Sequence, residues 1–279
     1  MKALLTIFTL VITISISAQN FTGKAVYKTS RKSTFKVKDD KGMNDKMQEE
    51  IRKRLQKMNQ KTFILNFDNY TSTYVEEINL KAPKPQVGGR QVMVMSFGGS
   101  GNGSIYFKNT KENRFSNKTE IMGKIFLVKD ELPKQDWVMT SETKNIGTYT
   151  CYKATFTREV ESKKMTINNG EPKEETITET VVTTAWYTPQ IPVSNGPKNY
   201  QGLPGLILEI NDGKSTIVCT EIILNPTEKI KINEPTKGKV VTLNEYRKIS
   251  DEKSKEMMER FKSRKGVDLG NGTTIKFGG

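Results

Sequence analysis

The feature that most constrains this chain is a succession of short segments with period-two alternation, each closed by turn-forming residues. They cover residues 104–108, 114–120, 124–129, 137–141, 148–157, 164–167, 176–187, 206–210 and 215–223. Alternation places one set of side chains on each face of a pleated strand, so such a chain folds as a β-sheet protein. Asn168-Asn169-Gly170 and Asn211-Asp212-Gly213 fit hairpin turns, because Asn and Gly tolerate positive φ. Upstream, residues 21–30 read as a first strand, and residues 61–67 and 70–78 as a hairpin about Asp68-Asn69.

Two stretches change period. Met43, Met47, Ile51, Leu55 and Met58 recur every three or four residues, and Glu49/Lys53 and Glu50/Arg54 add i,i+4 pairs. The second helix opens on the capping box Thr242-x-x-Glu245 and carries Tyr246, Ile249, Met257, Met258 and Phe261 before Gly266. Its polar middle, residues 250–256, fits a surface helix or one that projects at one end. Residues 81–103 contain Pro83, Pro85 and many glycines, which predicts a flexible loop inserted in the domain, with at most a short strand at 91–96. Residues 266–279 read as a flexible tail.

The start, Met1-Lys2, an apolar run over residues 3–16 and Ser17-Ala18, has the layout of a secretory signal peptide cleaved after Ala18. The cleavage point lacks a cysteine, so no lipid anchor is expected, and no later stretch has the length of a membrane helix. The expected organisation is a signal peptide at 1–18, one β-rich domain at 19–265 and the tail. The mature chain is expected in the periplasm or released, and not as an integral membrane protein. Its 45 Lys and Arg against 31 Asp and Glu give a net charge of +14, suited to anionic lipid, glycan or acidic protein surfaces. The cations alternate with acids and no nucleic-acid module is present, so nucleic acid is not the expected partner. Histidine is absent, which excludes Ser-His-Asp and Cys-His catalysis and His-ligated metals. Carboxylate or Ser-Lys chemistry survives, without a visible motif.

Cys151 and Cys219 each fall in a predicted strand. In an oxidising compartment they are a candidate disulfide, with two buried free thiols as the alternative. Met93 and Met95 place two thioethers on one side of a short segment, a weak pattern for Cu(I), and an ordinary strand explains them as well. No cofactor is expected.

The most distinctive stretch is residues 185–210. It joins Trp186-Tyr187 to an apolar strand through Pro189, Pro192, Gly196, Pro197, Lys198, Tyr200, Gly202, Leu203, Pro204 and Gly205. Proline fixes φ and glycine admits positive φ, so this linker is expected to hold one shape, either as a ligand surface or as a cork on the sheet. Gly202-Leu203-Pro204-Gly205-Leu206-Ile207 is the hexapeptide that names the GLPGLI family of exported proteins of Gram-negative bacteria. With residues 147–154 (Gly-Thr-Tyr-Thr-Cys-Tyr-Lys-Ala) and 186–192 (Trp-Tyr-Thr-Pro-Gln-Ile-Pro), the chain resembles that family over residues 147–207. The resemblance implies export and a shared β-rich fold, and brings no reaction or catalytic residues.

These readings give an expected α+β fold, mainly antiparallel: a curved sheet or half-open barrel with two amphipathic helices. The expected function is a non-enzymatic binding or accessory protein of the cell envelope, taking an apolar or anionic ligand or an outer-membrane protein. Trp186, Tyr187, Tyr200 and Leu203 would make apolar contacts, and Lys153 and Lys198 would meet anions. A hydrolase using carboxylates or a Ser-Lys pair, and a structural interaction module, remain as alternatives.

Overall fold

Alternation along the chain becomes register in space. The computed structural model describes residues 21–31, 60–77, 86–87, 90–91, 103–168, 171–263 and 274–277. In chain order the strands are β1 (Gly23–Arg31), β2 (Lys61–Phe67), β3 (Thr71–Glu76), β4 (Gln86–Val87), β5 (Arg90–Gln91), β6 (Ile105–Asn109), β7 (Arg114–Ile121) and β8 (Lys124–Glu131). There follow β9 (Val138–Ile146), β10 (Tyr149–Asn168), β11 (Glu171–Thr188), β12 (Leu206–Asn211), β13 (Ser215–Leu224), β14 (Lys239–Val241), helix α1 (Leu243–Ser263) and β15 (Thr274–Phe277). Among the described residues β4 and β5 form a small ribbon, and thirteen strands form one sheet in the order β14-β8-β7-β6-β3-β2-β1-β13-β12-β11-β10-β15, with β9 also on β10.

Turn chemistry sets the hairpins. Asp68 Oδ1 accepts from the backbone N–H of Tyr70 and Thr71 at 2.8 and 2.5 Å, and Asp212 Oδ1 accepts from Lys214 and Ser215 at 3.0 and 2.6 Å. Each is an Asx turn in which a short carboxylate takes N–H groups the ladder leaves free. Segments 148–157 and 164–167, separate in the sequence reading, are parts of the one long strand β10, because β11 pairs with it without interruption from Tyr152 to Asn168.

Inward side chains form two apolar clusters. The larger gathers Tyr27, Leu65, Phe67, Tyr74, Ala154, Ala185, Leu206, Ile207 and their neighbours, and the smaller gathers Phe115, Phe126, Val128, Leu132 and Val241. Strand β12 pairs with β13 only over Glu209–Asn211, and the Tyr27 hydroxyl of β1 donates to Ile207 O at 2.7 Å. The sheet thus bends so that β1 meets the first half of β12 across the core. Helix α1 lays Leu243, Tyr246 and Ile249 on the smaller cluster, where the Tyr246 ring meets Phe126 edge-on at 5.8 Å. On the strap that follows β13, Glu234 accepts from Ser116 Oγ at 2.5 Å and pairs with Arg114 and Lys129. Burial works against that charge, but the bonds from Ser116 and Arg114 outweigh it and hold the carboxyl below its usual range.

The expected half-open barrel with two helices is not what forms. The sheet is open and mixed: β14 runs parallel to β8, while every other pair in the sheet is antiparallel. The edge of β8 is taken by β14 and that of β10 by β9 and β15, and these end strands do not pair with each other, so the sheet stays open. One helix stands among the described residues, α1, whose limits match the sequence reading. The predicted helix at 43–58, the predicted signal peptide at 1–18, Met93 and Met95 lie outside the described residues. In the predicted tail, residues 274–277 are a strand. Among the described residues no helix is long and apolar enough to cross a membrane.

The start of α1 is fixed by reciprocal capping, with Thr242 N donating to Glu245 Oε2 at 2.8 Å and Glu245 N donating to Thr242 Oγ1 at 3.2 Å. Asp130 Oδ2 on β8 also accepts from Leu243 N at 3.0 Å, tying the helix to the sheet. Thr242→Ala is expected to lower stability by about 1 kcal/mol in chemical denaturation, leaving the β signature of the circular dichroism spectrum intact.

Candidate functional site

Residues 189–205 leave β11 at Thr188, cross the inner face of the sheet and return as β12 at Leu206. Since Thr188 and Leu206 are register partners, a tight turn would connect them, yet the chain makes this long excursion instead. Its inward side chains are core residues: Ile191 and Leu203 are 0% and 1% exposed, and Val193 and Tyr200 are also buried. Each such burial is worth about 2 kcal/mol in transfer free energy. The outward residues are Pro189, Gln190, Pro192, Ser194, Lys198, Gly202 and Pro204.

Polar groups fasten the segment along its length. Leu206 N donates to Ile191 O and Ile207 N to Asn195 O, both at 2.9 Å, which gives the excursion a second ladder on β12. Thr150 N on β10 donates to Gln190 Oε1 at 2.9 Å. From the connector before β9, Gln135 bridges Asn199 O and Gln201 N, and Trp137 Nε1 donates to Gln201 O at 2.9 Å. From the opposite side Ser72 Oγ donates to the buried Asn195 Oδ1 at 3.2 Å. Lys108 on β6, with no solvent exposure, places Nζ 2.6 Å from Gly196 O and 2.9 Å from Tyr200 O. Burial pushes the Lys108 ammonium well below its ordinary proton affinity.

Two glycines are required by geometry. A Cβ on Gly205, at φ +155°, would lie 2.2 Å from Thr188 O, and one on Gly196 would lie 2.9 Å from the Ile207 Cβ. The hexapeptide at 202–207 therefore reads as a re-entry turn. Gly202 supplies a φ of +93°, Leu203 plugs the core, Gly205 passes against the end of β11, and Leu206-Ile207 begin β12.

The predicted apolar contacts are thus mostly inside the protein. Tyr187 is buried with its hydroxyl 3.5 Å from Met139 Sδ, while half-buried Trp186 lies under Lys144 Nζ, 4.4 Å from its ring centroid. Lys144 in turn meets Glu209 at 2.6 Å. Lys153 is engaged by Glu142 at 2.8 Å. Lys198 sits on the outer flank at φ 51°. Although it reaches solvent, enough protein surrounds it to lower its proton affinity, with the cations of Arg31 and Lys61 adding to that effect and Asp212 opposing it. Arg158 and Asp212 act likewise on neighbouring Tyr200, whose hydroxyl burial pushes up. Arg31 and Lys61 thus stand within electrostatic reach of Lys198 and Arg158 within reach of Tyr200, with Asp212 acting on both.

Cys151 and Cys219 are both buried, and their thiols are free. Each points to its own strand, Cys151 Sγ 3.6 Å from Tyr149 O and Cys219 Sγ 3.5 Å from Glu221 O, and in strand order β11 and β12 stand between them. Burial pushes the two thiols up to about 11 and about 12, so neither is a thiolate at neutral pH. Glu76, Glu142, Glu179, Glu209 and Glu234 each meet a Lys or Arg. The arrangement of these carboxylates is that of surface ion pairs rather than of a matched acid and base.

Lys108, Ser72, Asn195, Gln135 and Trp137 carry the fastening of the segment and were not singled out in the sequence. The available signal was a lysine that follows the apolar run Ile-Tyr-Phe directly within one strand, at residues 105–108.

Residues 137–209 match the family model described as a protein of unknown function (Porph_ging). That span contains the segment, β10, β11, residues 206–209 of β12 and all three stretches of the GLPGLI resemblance. No curated protein matches. Two solved structures with the titles "Structure of PNGF-II in C2 space group" and "Structure of PNGF-II in P21 space group" align with 84% and 83% of this chain at 16% and 17% identity, each with a TM-score of 0.48. The chain spans about a third of their length, 33% and 34%. Within the matched region Gly205→Ala is expected to lower stability by about 3 kcal/mol, since it adds both a positive-φ penalty and a backbone clash, and a urea melt will read it.

Proposed function

We propose that this chain is a non-enzymatic accessory protein of a Gram-negative cell envelope, a member of the GLPGLI family exported by its N-terminal signal peptide. Its contact with an anionic group of an envelope partner lies on the rim around Lys198. The observation that carries this reading is the division of labour within the 189–205 segment. Its apolar side chains fill the sheet, and its outward flank presents exposed Lys198, with Arg31 and Lys61 within electrostatic reach. A filled inner face leaves recognition to the surface, and clustered cations raise the local concentration of anions. The net charge of +14 favours the same class of partner.

The family proposal rests on the hexapeptide at 202–207, the stretches at 147–154 and 186–192, and their position inside the matched region. Placement in the periplasm rests on the layout of residues 1–18.

A photo-crosslinking residue at position 198, with recovery of both protein and lipid adducts from cells, tests the reading. Adducts are expected there and not from exposed Met122, which sits on the β7–β8 turn. Arg31→Glu with Arg158→Glu should reduce the yield by about tenfold, the effect of some 1.4 kcal/mol of lost charge complementarity. Equal adducts from both positions, or a yield indifferent to charge reversal, would rule out the rim.

A further inference from the structure

Lys108 is the one fully buried lysine among the described residues, and its surroundings define its state. Its two acceptors are the backbone carbonyls of Gly196 and Tyr200, at 2.6 and 2.9 Å, and both belong to the segment. A neutral amine has two N–H donors and an ammonium has three. Two carbonyls take both N–H donors of the amine, whereas an ammonium would hold a third donor and a net charge in the core. Acidic partners do not offset that charge, because burial is the cause of its lowered proton affinity and no charged neighbour contributes. The titratable groups on the elements packed around it are Tyr106 on its own strand, Tyr74 and Glu76 on β3, Arg114, Lys118 and Glu120 on β7, and Tyr200 and Lys198 on the segment, with Glu76 paired to Lys61 and Arg114 to Glu112 and Glu234. Burial pushes the three tyrosines up and keeps them neutral, and Lys198 turns outward to solvent. On β7 the register partner is the apolar Phe115.

We propose that Lys108 is an acid-released latch: when its amine takes up a proton, the closed state must keep a desolvated ammonium without a carboxylate partner, and residues 189–205 lift more often from the inner face. The device joins two elements far apart in sequence, β6 and the segment, through one titratable atom. Opening carries Lys108 into water, where the ammonium is solvated, so the open state binds the proton more tightly than the closed one. The opening equilibrium therefore rises as pH falls below the ordinary lysine value of 10.5, by up to about tenfold per pH unit, and levels off at the closed-state value. What the lifting uncovers is apolar: Leu65, Tyr74 and Ile207 on the core face.

Hydrogen exchange, corrected for the intrinsic pH dependence of amide exchange, tests this on the intact chain between pH 9.5 and 6. The amides of Leu206 and Ile207, which bond to the segment's carbonyls, should lose at least about tenfold protection on acidification, while those of β1 and β2 hold theirs. In Lys108→Met the pH dependence should vanish. Constant protection in the native protein, or the same acid loss in the variant, overturns the proposal. If Lys108→Met does not fold, the side-chain resonances of Lys108 decide it. A titration depressed below ordinary lysines supports the latch, and one near 10.5 overturns it.

Discussion

The rest of this structure depends on one constraint, the need to fill the inner face of a large bent sheet. Strands β1–β3, β6 and β10–β12 direct Tyr27, Leu65, Phe67, Tyr74, Ala154 and Ala185 into a shared interior, and no helix covers that region among the described residues. The 189–205 segment supplies Ile191, Val193, Tyr200 and Leu203 in place of a second layer. Filling an interior with irregular backbone brings its own difficulty, because peptide groups leave water without a ladder to join. The side chains of Ser72 on β3, Lys108 on β6, and Gln135 and Trp137 on the connector before β9 answer it, and the segment's own Gln190 accepts from Thr150 N on β10.

An open sheet has edges, and here each is blunted. Strand β14 is three residues long, and the outer strand β9 carries a register shift opposite Tyr152 and Ala154. Short strands, irregular register and charged edge residues such as Lys144 and Lys239 discourage pairing with another chain.

Much of this was legible in the sequence. Alternation placed β2 over residues 61–67 to the residue, Asn211-Asp212-Gly213 marked the β12–β13 turn, and Thr242-x-x-Glu245 marked the start of α1. Closure was not legible, because whether a sheet forms a barrel depends on which distant edges meet, and β14 and β15 are too short to stand out from loop sequence. The direction of side chains in the 185–210 stretch was hidden for a similar reason. Outside regular structure no period tells inward from outward, so Tyr187, Tyr200 and Leu203 looked available for ligands while the fold buries them. Lys108 was passed over because composition counts it as one cation among 45 basic residues, and only its depth in β6 sets it apart.

Deletion tests the central claim most directly. Because Thr188 and Leu206 are register partners, residues 189–205 can be replaced by a short Asn-Gly hairpin turn that joins β11 to β12 without strain. If the segment is the second layer of the core, the shortened chain should lose its cooperative thermal transition and bind an apolar dye. A shortened chain that unfolds cooperatively within a few degrees of the native protein would contradict the account.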